Sequence, residues 1–600
     1  MDVSHTNTRE YLRQAIDAEI KSLERSIRVL RLRRNALAPI SSLPTEVMLT
    51  IFSLMHAPRT SSRFILGHGE KLDSLEWLHM AHVCHRWREI ALNQPLFWSH
   101  FDFTTVSPAG AAEILARAKS VPLHLEANVS SRCWDNARVT AFQKNLRDHV
   151  SHIRQLDVIA ETTHLIGTLT SLTSPAPALE YLSLTRPNGT TETRGFVPET
   201  LFDGSAPMLS CLELYNCAIN WGSPLLRGLE HLDIQTSDQE RPSLSNWLDV
   251  LDEMPQLKTL TLLEASPIAP NVPLPSNIKH TVTLPSLTLF DIFSSVRDCG
   301  LALAHLVLPA LSSLRVRAQT CHQNGSDVLE ILPYVTRHVH GLHHTQPIQT
   351  VIVKNYIQCV GILTIPFLDI NFFAKLSESI LKIEPPNKFT TPHTMHPVEV
   401  SITGDWTGFT YTRVFDAMMA TLPLDGLATL DLGRSTRLNK QFWLRDAPQW
   451  HLVQCIRLRS RAASAFREML LEDNERRESP LFPLLTKLVL SNFTLSARRT
   501  LQLCDALMNR VEQGVPLETL DLRTCFATRR AVEPLNEIVT EVLGPERFFK
   551  EAAQRRSKWD PTARGLFVAN DSSEEDTDSG DEYYPNDWVG HFMWSSMDET

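Results

Sequence analysis

Residues 177–184 read Pro177-Ala178-Leu179-Glu180-Tyr181-Leu182-Ser183-Leu184, the pattern P-x-L-x-x-L-x-L. It recurs as Pro207, Leu209, Leu212, Leu214 and as Pro255, Leu257, Leu260, Leu262. It returns as Pro285, Leu287, Phe290, Ile292, as Pro309, Leu311, Leu314, Val316, and as Pro483, Leu485, Leu488, Leu490. Copies without the proline include Ile153-Leu156-Val158, Leu229-Leu232-Ile234, Leu427-Leu430-Leu432, Val453-Ile456-Leu458 and Leu517-Leu520-Leu522. Ile348-Val351-Val353 and Val398-Val400-Ile402 are weaker candidates. Most neighbouring copies lie 20 to 32 residues apart. Each L-x-L pair predicts a short strand with both apolar side chains on one face and the residue between them on the other. One such unit cannot bury its own apolar face, so the set predicts stacked parallel strands with helices or loops on the outer side. The proline two positions before the first leucine suits a strand entry, where no ladder donor is needed.

Period and pattern resemble leucine-rich repeats of an irregular kind, spanning about 120–545. The usual asparagine of that repeat's turn is mostly absent, with Asn216 and Asn492 as partial exceptions. A doubly wound α/β sheet also alternates strands and helices, but no phosphate-binding glycine loop follows a strand here. In a repeat array, the residues between the strand leucines would read a target from the concave face. They are Ser183, Glu213, Asp233, Thr261, Asp291, Arg315, Asp431, Arg457, Val489 and Asp521. Several are acidic, which predicts a partly basic target, with Asp233, Asp291 and Asp431 as the lead contacts. The pattern weakens between 318 and 400, where inserted loops or a break in the array are expected.

A second segment lies upstream, at 39–103. It opens Leu43-Pro44-Thr45-Glu46-Val47-Met48-Leu49-Thr50-Ile51-Phe52, continues Val83-Cys84-His85-Arg86-Trp87-Arg88-Glu89-Ile90-Ala91, and closes Pro95-Leu96-Phe97-Trp98-Ser99-His100-Phe101. Pro44 suits a first helical turn, because its missing N–H would be unpaired there. Glu46 meets the positive end of the helix dipole. Val47, Leu49, Ile51, Phe52 and Leu54 then give a short helix apolar on more than one side, so part of it needs an outside cover. Trp77 and Trp87 are too large for so small a segment to bury fully.

This order of motifs resembles an F-box, the module that docks a Skp-type adaptor and, through it, a cullin. The resemblance implies a small helical domain ahead of the repeat array, so the fold class is α + α/β. It implies a non-catalytic substrate-recognition subunit of a cullin-RING ubiquitin ligase whose repeats bind a protein target. The alternative is a scaffold that no longer joins a ligase. By resemblance Leu43, Pro44, Ile51 and Phe52 face the adaptor, with Val83, Cys84, Trp87 and Trp98 completing that surface or supporting it. Residues 57–73 make a longer linker than the family usually has, a mild change thermodynamically.

Residues 10–38 read as a helix in which Ile16, Ile20, Leu23, Ile27, Leu30 and Leu37 recur at steps of four and three, with Arg34 in one slot. That is a heptad seam flanked by charges, open to self-pairing as a coiled-coil homodimer or to folding back on its own chain. A coiled coil ahead of an F-box-like segment also resembles a group of fungal F-box proteins.

Beyond 556 the run Asp571-Ser572-Ser573-Glu574-Glu575-Asp576-Thr577-Asp578-Ser579-Gly580-Asp581-Glu582 predicts disorder. Ser573 and Ser579 stand at acidophilic kinase spacing. Trp588, Phe592, Met593 and Trp594 make a short aromatic close.

The net charge of −10 over 600 residues, with 43% hydrophobic and 21% charged residues, fits a soluble chain of several domains or one extended repeat array, without the basic face that nucleic acid requires. No segment approaches the apolar length of a membrane helix. The ten cysteines include no CxxC pair and read as reduced thiols, which places the chain in cytoplasm or nucleus. Neither His338, His340, His343 and His344 nor His79, His82, Cys84 and His85 reads as a metal site; the first four read as crowding in a loop and Cys84 as a small core residue. No nucleophile–base set, nucleotide loop or metal motif is present, so no cofactor is expected.

Overall fold

The computed structural model describes residues 3–56, 75–129, 134–187, 196–236, 241–270, 278, 280–320, 326–345, 348–360, 363–373, 398–403, 408–432, 440–459, 461–476 and 480–545. The linker at 57–73 and the acidic tail from 556, with its serines and aromatic close, lie outside them. The chain up to Phe548 forms one compact unit. Among the described residues no helix is long and apolar enough to cross a membrane.

The chain opens with α1 (Val3–Ala36), followed by α2 (Thr45–His56) and α3 (His85–Leu92). A 3-10 turn (Pro95–Trp98) leads into β1 (His100–Asp102) and α4 (Pro108–Ala118). Parallel strands then join β1 in sequence order: β2 (Leu123–Asn128), β3 (Ile153–Ile159), β4 (Tyr181–Thr185), β5 (Cys211–Tyr215), β6 (His231–Gln235), β7 (Thr259–Leu263), β8 (Leu289–Ser295) and β9 (Ser313–Gln319). The order never reverses along this half, as it must at the switch point of a doubly wound sheet.

The weak stretch of the pattern is where the chain turns back on itself. β10 (Thr350–Val360) and β11 (Leu363–Phe373) form an antiparallel hairpin, and β12 (Val398–Thr403) returns to lie between β11 and β9. Antiparallel neighbours such as β10 and β11 need only a short connection between them, not a crossover helix. Parallel order resumes from β10 through β13 (Thr429–Leu432), β14 (Cys455–Arg459), β15 (Lys487–Ser491), β16 (Thr519–Asp521) and β17 (Glu541–Leu543). His338 and His340 sit on helix α5 (Ser326–Thr345), not in a loop as their crowding had implied, and His338 Nε2 donates to the Leu303 carbonyl at 3.0 Å. Among the described residues no group of three metal-binding side chains occurs.

Sequential parallel strands joined by right-handed crossovers put every connection on one face of the sheet. That face is the core: Leu182, Leu184, Leu214, Leu232, Leu260 and Leu262 have no more than trace exposure and belong to one continuous apolar cluster with the helices. The recurring proline has a definite place. The N–H of Leu179, Leu209, Leu257, Leu287, Leu311 and Leu485 bonds the carbonyl three residues back. Each proline therefore occupies the second position of a tight turn, where its fixed φ is an asset. Asn216 and Asn492 follow their strands at φ 54° and 48°, a left-handed geometry that asparagine tolerates better than most residues.

Two substitutions on opposite faces of the sheet should separate the apolar face from the polar one. Leu232→Ala removes a fully buried side chain and should cost about 2–5 kcal/mol. Thr261→Val replaces a buried hydroxyl that has no hydrogen-bond partner among the described residues and should be neutral or slightly stabilising. Urea denaturation measures both.

Candidate functional site

The helical segment before the sheet closes around aromatic rings. On α2, Met48 and Phe52 face inward at 1% and 0% exposure. The Phe52 ring lies 5.0 Å from that of Trp87 on α3 and 6.5 Å from that of Phe97. Trp77 stands edge-on to Trp98 at 4.8 Å, and its ring centre is 5.5 Å from that of Phe97. Tilted and edge-on pairs of this kind add to the burial of the rings themselves. Two arginines of α3 tie down the flanking backbone: Arg86 donates to the carbonyls of Ser41 and Leu43, and Arg88 Nε to that of Ala81 at 2.8 Å. The Trp98 indole donates to the Leu92 carbonyl at 3.0 Å, and the Arg117 guanidinium of α4 covers its ring at 4.7 Å. The segment is thus fastened to the first strand–helix unit of the sheet rather than hung from a linker.

That packing sorts the residues expected at the adaptor surface. Pro44 and Val83 are exposed, and Leu43, Ile51, Cys84 and Trp87 are half-buried. Phe52 is enclosed, which corrects its assignment to the outer face: α2 turns its aromatic side toward Trp87 and Phe97 because the largest ring gains most from burial. Trp98 is likewise buried and acts as support. The residues that do stand outward are Val47 and Leu54 on α2 and Leu96 after α3, at 42%, 75% and 52% exposure. Val47, Ile51 and Leu54 share one stripe at helical spacing, one step round from Met48 and Phe52. The two-sided pattern of the sequence held this signal, but did not say which stripe was the core.

On the sheet, the residues between the strand leucines fall in one register row. It runs Asp102, Glu126, Asp157, Ser183, Glu213, Asp233, Thr261, Asp291, Arg315, Glu399, and resumes after the hairpin as Asp431, Arg457, Val489, Asp521. The three lead aspartates are less available than expected. Asp291 is met by Arg317 at 2.8 Å and Arg315 at 3.8 Å, and Asp431 by Arg457 at 3.7 Å. Neighbouring strands therefore supply much of the counter-charge assigned to a target. Asp521 is held below the usual carboxylate range despite its burial, because Arg523 binds both its oxygens.

Asp233 differs. Tyr215 and Gln235 donate to its Oδ2 at 3.2 and 3.1 Å, while Oδ1 has no partner among the described residues. Burial, aided by Glu213 and Asp291 and opposed by those two hydrogen bonds, pushes its carboxyl up to about 7. Sequence alone did not separate it from its neighbours, since the difference lies in which strand carries an arginine next door.

Residues 40–104 match the F-box-like family model. No curated protein matches the chain. The matched residues run from the turn before α2 through the aromatic cluster and β1, so the domain includes the first strand of the sheet.

Asp233 sets a pH dependence. Its folded pKa stands above the unfolded one, so the folded state holds the proton more tightly, and stability falls as pH rises from about 4 to about 7. Asp233→Asn removes that penalty. Its melting temperature should exceed the parent's by about 2 °C at pH 8 and equal it at pH 4, by scanning calorimetry.

Proposed function

We propose that this chain is the substrate-recognition subunit of a cullin-RING ubiquitin ligase. F-box domains generally dock Skp-type adaptors within cullin complexes, and F-box proteins are generally non-catalytic. The observation that carries the reading is the contrast inside the matched segment. Its own core is closed by Phe52, Trp77, Phe97 and Trp98, yet Pro44, Val47, Leu54, Val83 and Leu96 remain outside. Apolar side chains grouped on a small, well-packed domain mark a protein interface. On this reading Ile51 and Trp87 line the base of the adaptor contact, while Phe52 and Trp98 hold its shape.

The sheet, on the same reading, is an irregular leucine-rich-repeat solenoid, and its polar row is the target surface. The in-sequence parallel order, the one-sided core and the repeated proline turn support it. The chain then contributes no bond-making step of its own. It raises the effective concentration of a target's lysine near a charged conjugating enzyme held at the far end of the cullin. The arginines beside Asp291 and Asp431 make the C-terminal half of the row mixed in charge, and Asp233 is buried at 2% exposure, so a basic target contact is better placed at the N-terminal end of the row, where Glu126 is exposed.

Val47→Asp with Leu54→Asp should abolish co-purification with a Skp-type adaptor while leaving the melting temperature within about 2 °C of the parent, since both side chains are exposed. Retained co-purification would refute the assigned surface. Glu126→Lys, at an exposed position of the same row, should weaken capture of the target without affecting the adaptor.

A further inference from the structure

We infer that α1 pairs with α1 of a second copy of this chain, and that the two helices run antiparallel. Every side chain from Glu10 to Arg34 is exposed. Ile16, Ile20, Leu23, Ile27 and Leu30 stand at 47–62% exposure, uncovered by the other described residues of their own chain. A lone helix with so much apolar surface is marginal in water. A second copy of the same helix supplies a matching stripe. The steps of four and three place Ile20 and Ile27 at a positions and Ile16, Leu23, Leu30 and Leu37 at d positions.

The charges then choose the direction. In a parallel pair, Arg13 meets Arg13 and Arg34 meets Arg34 in the seam. On the flanks Glu19 faces Glu24 of the other helix, twice, without an opposite-charge contact to offset it. In an antiparallel pair centred on residue 25, Ile20 packs against Leu30 and Leu23 against Ile27. The two arginines are then separated, Arg34 meeting Ile16 and Arg13 lying opposite the C-terminal end of the other α1. The flanks become Asp17 against Arg31 and Glu19 against Arg33, each occurring twice by symmetry. One like-charge contact remains, Glu24 against Glu24, and Glu24 is already engaged by Arg28 of its own helix at 3.8 Å.

Direction has a structural consequence. About 15 residues separate the centre of the pair from the start of the F-box-like domain. An antiparallel dimer therefore holds its two domains about 45 Å apart at opposite ends, at about 1.5 Å per residue. A parallel dimer would crowd both at one end.

The charge reversal Glu19→Lys separates the two directions. It sets the new ammonium against Arg33 in the antiparallel pair and against Glu24 in the parallel one. Sedimentation equilibrium of the full chain should give a dimer for the parent and about five- to tenfold weaker dimerisation for Glu19→Lys. Adding Arg33→Glu to that variant should restore the parent affinity. A tighter Glu19→Lys dimer would overturn the antiparallel assignment, and a parent that stays monomeric at tens of micromolar would overturn the pairing itself.

Discussion

The strands of the parallel runs send their apolar pairs into one apolar cluster with the helices. The residue between them is driven to the other face, where in β4 to β8 it is buried by its neighbouring strands and charge must be managed without a helical cover. The row from Asp102 to Asp291 collects six carboxylates in register within eight strands. The molecule answers with tyrosines over Glu213 and Asp233 and with arginines from β9 beside Asp291. Asp233 is the position where that answer stops short, with one oxygen unmatched among the described residues and its proton retained near neutrality.

The same constraint governs the junction with the helical segment. A sheet of this kind must end somewhere, and its first strand exposes both a backbone edge and the end of the apolar cluster. Here the aromatic segment covers that end. Trp98 is clamped between Leu92 and Arg117, the Ser99 carbonyl accepts from the His124 N–H at 2.8 Å, and Phe101 is fully enclosed. One domain thus caps the sheet while keeping its outer stripe open. The open stripe and the sheet belong to one compact unit.

Much of this was legible in the chain. All thirteen apolar sets read from the sequence fall on strands, because period-two alternation has few other solutions, and in six of them a turn-forming proline marks the entry as well. Four strands of the main sheet lie outside those sets. His100–Asp102 is too short, Leu123–Asn128 ends its alternation on a weak alanine, Leu363–Phe373 runs apolar without alternation, and Glu541–Leu543 has one apolar pair at the edge of the repeat. The order of α2, α3 and the aromatic close was readable; the inward turn of Phe52 was not, since both stripes of α2 are apolar and only packing against Trp87 and Phe97 decides between them. The pairing of Asp291 with Arg317 was also hidden, because strand register places them side by side across 26 positions of sequence.

The ligase reading requires that the open stripe of α2 be covered by a second polypeptide. Amide hydrogen exchange of the full chain, with and without a Skp-type adaptor, tests this directly. Added protection over residues 44–54 and 83–96, with the sheet strands unchanged, is the expected result; identical exchange in the presence of saturating adaptor would contradict it.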